Sequence, residues 1–318
     1  MLAEVVRSGV VESQHRGSLV VLAADGSVDL AAGATARPMF PRSSNKPMQA
    51  AGMLSCGLDL AGKLLALSAA SHSGEEFHIE GVREILAGAG LSAADLQCPP
   101  DLPLDEPARI AWLRAGGRQD RIHMNCSGKH AAMLATCVAA GWPTQTYRDP
   151  EHPLQRQIKI TVEHLATETV AATGTDGCGA PLFALSPAGL ARGFRALVLA
   201  PAGSEPRRVA DAMRANPVWT SGTNRPEAAM VAAVPGLLMK SGADGVCALA
   251  LADGRAAAVK IDDGAQRGVP PLMASLLLRL VSGGQVRRAD ESALKSLAAA
   301  PVLGGGVPVG EIRAVLPS

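Results

Sequence analysis

The chain has 318 residues, 47% of them hydrophobic and 19% charged, a composition that suits a globular protein with a sizeable core and excludes a disordered, collagenous or fully solvated chain. Thirty Lys and Arg against 29 Asp and Glu leave a formal net charge of +1, and one Tyr, three Trp and four Phe offer few platforms for stacked bases. With neither surplus positive charge nor aromatic surface, nucleic acid is not expected as a partner.

Six cysteines, Cys56, Cys98, Cys126, Cys137, Cys178 and Cys247, are too sparse and irregular for a disulfide framework and read as reduced thiols. Glu4 and Arg7 interrupt the first residues, so these do not form the apolar run of a signal peptide, and no stretch of eighteen uncharged apolar residues occurs. A cytoplasmic protein with no membrane partner is the expectation.

In chain order, β-prone residues 18–23 and a run from Val28 flank Ala24-Asp25-Gly26-Ser27, the pattern of a hairpin. Apolar residues then recur three or four apart over 48–54, 79–87, 154–166, 190–200 and 209–215, which predicts a mainly helical middle. A second hairpin is predicted at 246–252 and 256–261 across Asp253-Gly254, then a helix over 271–281 and a last strand at 311–316. Strands at both ends with helices between them predict one sheet built from the two ends of the chain. The whole reads as a single two-lobed unit, a sheet lobe from 1–41 and 230–318 beside a mainly helical lobe at 42–229.

Four polar regions carry candidate chemistry. Arg42-Ser43-Ser44-Asn45-Lys46-Pro47 puts a serine three residues before a lysine. A serine hydroxyl is a weak nucleophile until a base takes its proton, and a lysine serves only where burial or nearby positive charge, here Arg42, lowers its pKa. In a helix starting at Ser43 the two side chains share a face. Pro47, tolerated only in a first turn, leaves an irregular turn as the alternative, and a capping serine beside a solvated lysine has the same spacing.

Ser71-His72-Ser73-Gly74-Glu75-Glu76 follows an apolar stretch and precedes a helix, as a helix cap does, or as a hydroxyl joined to helix amides in an anion site. Asn125-Cys126-Ser127-Gly128-Lys129-His130 and Gly174-Thr175-Asp176-Gly177-Cys178-Gly179 are polar turns with a cysteine each. Two thiolates with a nitrogen from Lys129 or His130 form a donor set for zinc, and buried thiols acting as small hydrophobes are the alternative. Met239-Lys240-Ser241-Gly242 resembles the Lys-Thr-Gly element that completes a Ser-x-x-Lys site in serine acyl-transfer enzymes, or is a turn with an exposed lysine.

These four regions, with Val11-Glu12-Ser13-Gln14-His15-Arg16 before them and Val259-Lys260-Ile261-Asp262-Asp263-Gly264 after them, resemble in order the Rhizobium-type (class 3) L-asparaginases, the asparaginase II family. The resemblance implies an α/β (α+β) fold like that of serine β-lactamases and glutaminases, with an antiparallel sheet, flanking helices and a helical lobe, commonly in a homodimer. It implies hydrolysis of L-asparagine to L-aspartate and ammonia by two pairs, Ser43 with Lys46 and Ser71 with Lys240. It also implies zinc on Cys126, Lys129 and Cys178, which holds the centre together or orients the substrate without being strictly required.

On that basis Ser43 attacks the side-chain amide carbon, neutral Lys46 takes its proton, and a backbone N–H at Ser43 or beside Lys240 stabilises the oxyanion. Arg42 or zinc is expected to meet the substrate's α-carboxylate, and Asp176 or Glu75 its α-ammonium. His72 and Asn125, from the same segments, complete the expected substrate contacts. The alternatives are a glutaminase, a β-lactam-reactive protein, or a non-catalytic zinc- or amino-acid-binding protein on the same scaffold.

Overall fold

The computed structural model describes residues 1–282, 286 and 288–317. Of the expected 230–318 sheet lobe, residues 283–285, 287 and 318 lie outside the described residues. The chain opens with β1 (Ala3–Arg7) and β2 (Val10–His15), then β3 (Gly17–Leu22) and β4 (Val28–Ala32). The second pair is the predicted hairpin, closed where Asp25 accepts hydrogen bonds from the Ser27 amide (2.9 Å) and hydroxyl (2.6 Å) and Gly26 takes φ 93°. β1 and β2 carried no prediction, because most of β2 is exposed and shows no buried face.

The helical middle has a helix on each of the five predicted stretches and further helices that carried no prediction. A 3₁₀ turn, Arg42–Asn45, leads into α1 (Lys46–Leu54), then α2 (Gly62–Ser68), α3 (Glu76–Gly88), α4 (Glu106–Arg114), α5 (Ser127–Ala140) and α6 (Pro153–Ala166). A short ribbon, β5 (Thr173–Thr175) with β6 (Pro181–Phe183), precedes α7 (Pro187–Leu199), α8 (Glu205–Ala215), α9 (Pro217–Thr220) and α10 (Pro226–Ala233). Proline opens α6, α7, α9 and α10, where its missing N–H has no helical partner to lose. The Ser186 hydroxyl caps α7 by accepting from the Gly189 amide at 2.9 Å.

The chain returns to strands with β7 (Leu238–Gly242), β8 (Val246–Ala250) and β9 (Ala256–Ile261), followed by α11 (Val269–Val281), α12 (Glu291–Leu297), β10 (Ala299–Gly304) and β11 (Val307–Ala314). The expected last strand, 311–316, therefore begins four residues earlier and ends at Ala314. One sheet was expected from the two ends of the chain and, among the described residues, they build two: a five-stranded sheet in the order β4-β3-β9-β8-β7 and a four-stranded sheet in the order β10-β11-β1-β2. Both join the two ends of the chain through antiparallel pairs, β3 with β9 and β1 with β11. The switch between sheets takes one residue, Arg16, and depends on Gly17, where a Cβ would lie 2.2 Å from the Lys260 carbonyl oxygen.

Both faces of the five-stranded sheet are buried. Val20, Leu22, Ala248, Ala250, Ala256 and Ala258 face the core that holds α7, and Leu19, Val21, Cys247, Leu249, Ala257 and Val259 face the one that holds α11. Alanines on the first face let α7 approach closely, and each buried Leu or Phe it brings contributes about 1.5–3 kcal/mol. The fold is α+β, with antiparallel sheets flanked by helices. β7 is an edge strand of the five-stranded sheet, so one side of its backbone is free to border a site.

Candidate active site

The Arg42–Asn45 turn packs on β7 at Gly242, where a Cβ would lie 2.5 Å from Pro41 O, 3.1 Å from Ser44 N and 3.2 Å from Ser43 N. Only a glycine admits this approach, and it brings Ser43 to the edge strand. Arg42 itself has φ 52°, an uncommon left-handed conformation for a side chain of this size. Its guanidinium is tied down by Asp176 Oδ1 at 2.8 Å and by Asp244. The residue before Ser43 is thus strained and clamped.

Lys46 is buried in the first turn of α1, with Pro47 at the tolerated second position. Its Nζ donates to Ala70 O (2.6 Å), Ser71 Oγ (2.9 Å) and Cys126 Sγ (3.1 Å). These three contacts occupy the directions around the amine. The structure therefore joins Lys46 to Ser71, and neither the Ser43–Lys46 nor the Ser71–Lys240 pair is hydrogen-bonded among the described residues. The cause is local: Ser43 lies in the 3₁₀ turn and α1 starts at Lys46, so the two side chains never share a regular helix face. The Ser43 hydroxyl makes no hydrogen bond among the described residues.

Lys240 lies buried on β7, its Nζ donating to Ser241 O at 2.8 Å. By strand alternation it shares the face of Gly242, against which the Ser43 turn packs, while Met239 and Ser241 face the other way. Burial, reinforced by the positive charge of Lys46, brings its pKa from 10.5 down to about 7. An amine so placed is substantially neutral near physiological pH.

Ser43, Ser71 and Asn125 line one end of a cavity of about 580 Å³ that runs past β7 to Arg225, Glu227, Ser241 and Arg267. Arg42, His72, Glu75 and Asp176 do not line it. His72 is fully buried, its Nε2 2.8 Å from Ser127 Oγ and its ring stacked on His78, and burial lowers its pKa well below the usual imidazole range. Glu75 accepts from the Thr223 amide at 2.9 Å, and Asp176 is engaged by Arg42. Sequence reasoning missed Arg225 and Glu227, because Arg225-Pro226-Glu227 reads as the ordinary start of a helix and only the tertiary fold turns it to the cavity.

The family model described as L-asparaginase II matches residues 3–314, nearly the whole chain. The chain belongs to the L-asparaginase II family. No match to a curated protein is found. Among solved structures, it is similar to Mglu in its native form, with 14% identity and a TM-score of 0.45 over 89% of this chain and 70% of that one. It is also similar to a β-lactamase from Mycobacterium bovis, with 14% identity and a TM-score of 0.46 over 83% of this chain and 94% of that one. Membership of the L-asparaginase II family makes the chain an amidohydrolase.

In this L-asparaginase II chain the two expected metal-binding turns do meet. Lys129 Nζ is 3.2 Å from Cys178 Sγ, and Cys126, held by Lys46, also donates to Asn125 Oδ1 at 3.0 Å. Interaction with Cys126 holds the Cys178 thiol far below its ordinary range, and the same interaction together with burial holds Cys126 well above. Burial alone would discharge Lys129, but the Cys178 and Cys126 sulfurs outweigh it and push its pKa up. His130 lies beside Cys178, with Nδ1 2.6 Å from the Tyr147 hydroxyl and Nε2 buried without a hydrogen-bond partner among the described residues. Two sulfurs and an amine in a buried cluster, with the His130 imidazole beside Cys178, are donors of the kind zinc takes once it displaces their protons. Among the described residues no group of three or more His, Cys, Asp or Glu side chains is placed to hold a metal; this set has two cysteines, its third donor being an amine. Among the described residues no helix is long and apolar enough to cross a membrane.

Proposed function

We propose that this amidohydrolase is an L-asparaginase, converting L-asparagine to L-aspartate and ammonia through an acyl-enzyme on Ser43. The observation that carries the reading is that Ser43 and Ser71 line one cavity, Ser71 hydrogen-bonded to the buried Lys46 and the turn of Ser43 packed on the strand of buried Lys240, whose pKa is brought down to about 7.

In the proposed route Ser43 Oγ attacks the side-chain amide carbon, and its proton passes to neutral Lys240. Lys46, the base expected from the sequence, already has three acceptors. Collapse of the tetrahedral intermediate breaks the C–N bond, and Lys240 returns the proton to the departing nitrogen, which leaves as ammonia. Water then attacks the Ser43 ester, Lys240 takes its proton, and L-aspartate leaves as Ser43 is restored. Lys46 contributes the charge that keeps Lys240 neutral and holds Ser71 in place. In this reading Cys126, Lys129 and Cys178 would hold zinc, which would bind the two turns together and supply positive charge beside the centre.

The experiment is an ammonia-release assay with L-asparagine and L-glutamine on the purified protein and on Ser43→Ala, with elemental analysis for zinc. Asparagine turnover that falls by about a thousandfold or more in S43A is expected, together with bound zinc. An S43A variant within about tenfold of the parent, roughly 1.4 kcal/mol of barrier, excludes Ser43 as the nucleophile. Preference for glutamine replaces the substrate, and bound zinc with no turnover of either amide favours a binding protein.

A further inference from the structure

His72, expected to touch the substrate, sits behind the cavity instead, and its hydrogen bonds hold the wall from within. Its backbone N–H donates to Asn125 O at 3.0 Å, and its Nε2 lies 2.8 Å from Ser127 Oγ. The two contacts fall on either side of Cys126, so one residue grips the turn before α5 twice. Ser71, the residue before it, and Asn125 both line the Ser43 end of the cavity.

The partners fix the proton on the ring. Ser127 Oγ is 2.7 Å from Ile122 O, and a carbonyl only accepts, so the serine's single proton is used there. His72 must then donate from Nε2. That leaves Nδ1 an unprotonated acceptor, buried and without a hydrogen-bond partner among the described residues. His78, stacked on this ring at 5.2 Å between centroids, donates by the same reasoning from its own Nε2 to Val218 O at 2.9 Å. Burial keeps both imidazoles neutral. A bare buried nitrogen costs stability relative to an apolar side chain of similar size, so stability alone does not account for a histidine here.

We infer that His72 is a positioning residue for amide hydrolysis, its Nε2–H holding Ser127, and with it the turn of Asn125, in register with Ser71. Displacing such a wall by about 1 Å is enough to cost about a hundredfold in rate. The inference needs no particular amide, and it rests on the proposed function only in taking the Ser43 end of the cavity as the reaction centre.

Proton–nitrogen correlation spectra of the imidazoles and steady-state turnover, both on the whole protein, test it together. The spectra are expected to show His72 as the Nε2–H tautomer at neutral pH, with its resonances moved in Ser127→Ala. His72→Gln, whose amide N–H reaches about as far as Nε2, is expected to keep kcat within about threefold of the parent. His72→Leu is expected to lose about a hundredfold in kcat with KM within about threefold. Because the ring acts through Ser127, adding H72L to S127A should cost no more than about threefold further. An Nδ1–H tautomer, a His72 spectrum unchanged by S127A, a change in KM alone, H72Q as impaired as H72L, or losses that multiply in the double variant would overturn it. Where H72L fails to fold, S127A decides, and parental kcat there overturns it as well. Losses in H72L and S127A beside an S43A that still turns over keep the role of His72 and remove Ser43 as nucleophile. Parental H72L beside an inactive S43A does the reverse.

Discussion

Lys240 shows how one buried side chain ties stability to chemistry. Its pKa in the fold, about 7, lies below its ordinary value of 10.5. Between those values the unfolded chain binds the extra proton, so the fold gains stability as pH rises through that window. Below about pH 7 the cost of burying this amine is fully present, on the order of 5 kcal/mol, and it fades toward pH 10.5. Lys240→Met is therefore expected to raise Tm more at pH 6 than at pH 10 while abolishing turnover. In the parent, kcat/KM should rise through about pH 7 to a plateau as the amine becomes neutral. Differential scanning calorimetry at the two pH values checks the first part; an equal Tm shift at both would assign the depressed proton affinity to another group. The residue types for this arrangement were visible in Ser-x-x-Lys and Lys-Ser-Gly. The pairing of Lys46 with Ser71 was not, because spacing within a motif says nothing about a partner brought in from another loop.

Between elements, the decisive contact is the packing of the Arg42–Asn45 turn on β7. Gly242→Ala would place a methyl 2.5 Å from the Pro41 carbonyl oxygen, inside contact distance with backbone that cannot rotate away. The turn must shift, which is expected to cost about 1–3 kcal/mol of stability and, by displacing Ser43, about a hundredfold in turnover. Urea unfolding and ammonia release measure the two effects, and parental turnover in G242A would show that this contact does not position Ser43. At this scale the legible elements were those with a local signature: hairpins at Asp-Gly turns and helices with one apolar stripe. α5 was missed for the opposite reason. Ser127 through Leu134 are all buried, so the helix has no polar face there and no 3.6-residue alternation to detect.

Across the whole molecule, the five- and four-stranded sheets are each completed by strands from opposite ends of the chain. A protein truncated after residue 298 would lose β10 and β11, leaving β1 paired only with β2 and Val5 without its packing partners Val302 and Ile312. Such a chain is expected to lose its cooperative melt or to drop by more than about 10 °C in Tm. An unchanged thermal transition would mean that the four-stranded sheet is an appendage. The joining of N- and C-terminal strands was readable from the order of β and helical periodicity. The division into two sheets was not, because it depends on one residue, Arg16, and on a glycine whose role appears only when Lys260 lies against it.

That arrangement sets an order of events during synthesis. β1 and β3 leave the ribosome well before β11 and β9, their partners. Until β9 and β11 emerge the nascent chain carries unpaired strand edges, available to neighbouring chains on the same message, so assembly of both sheets waits for them.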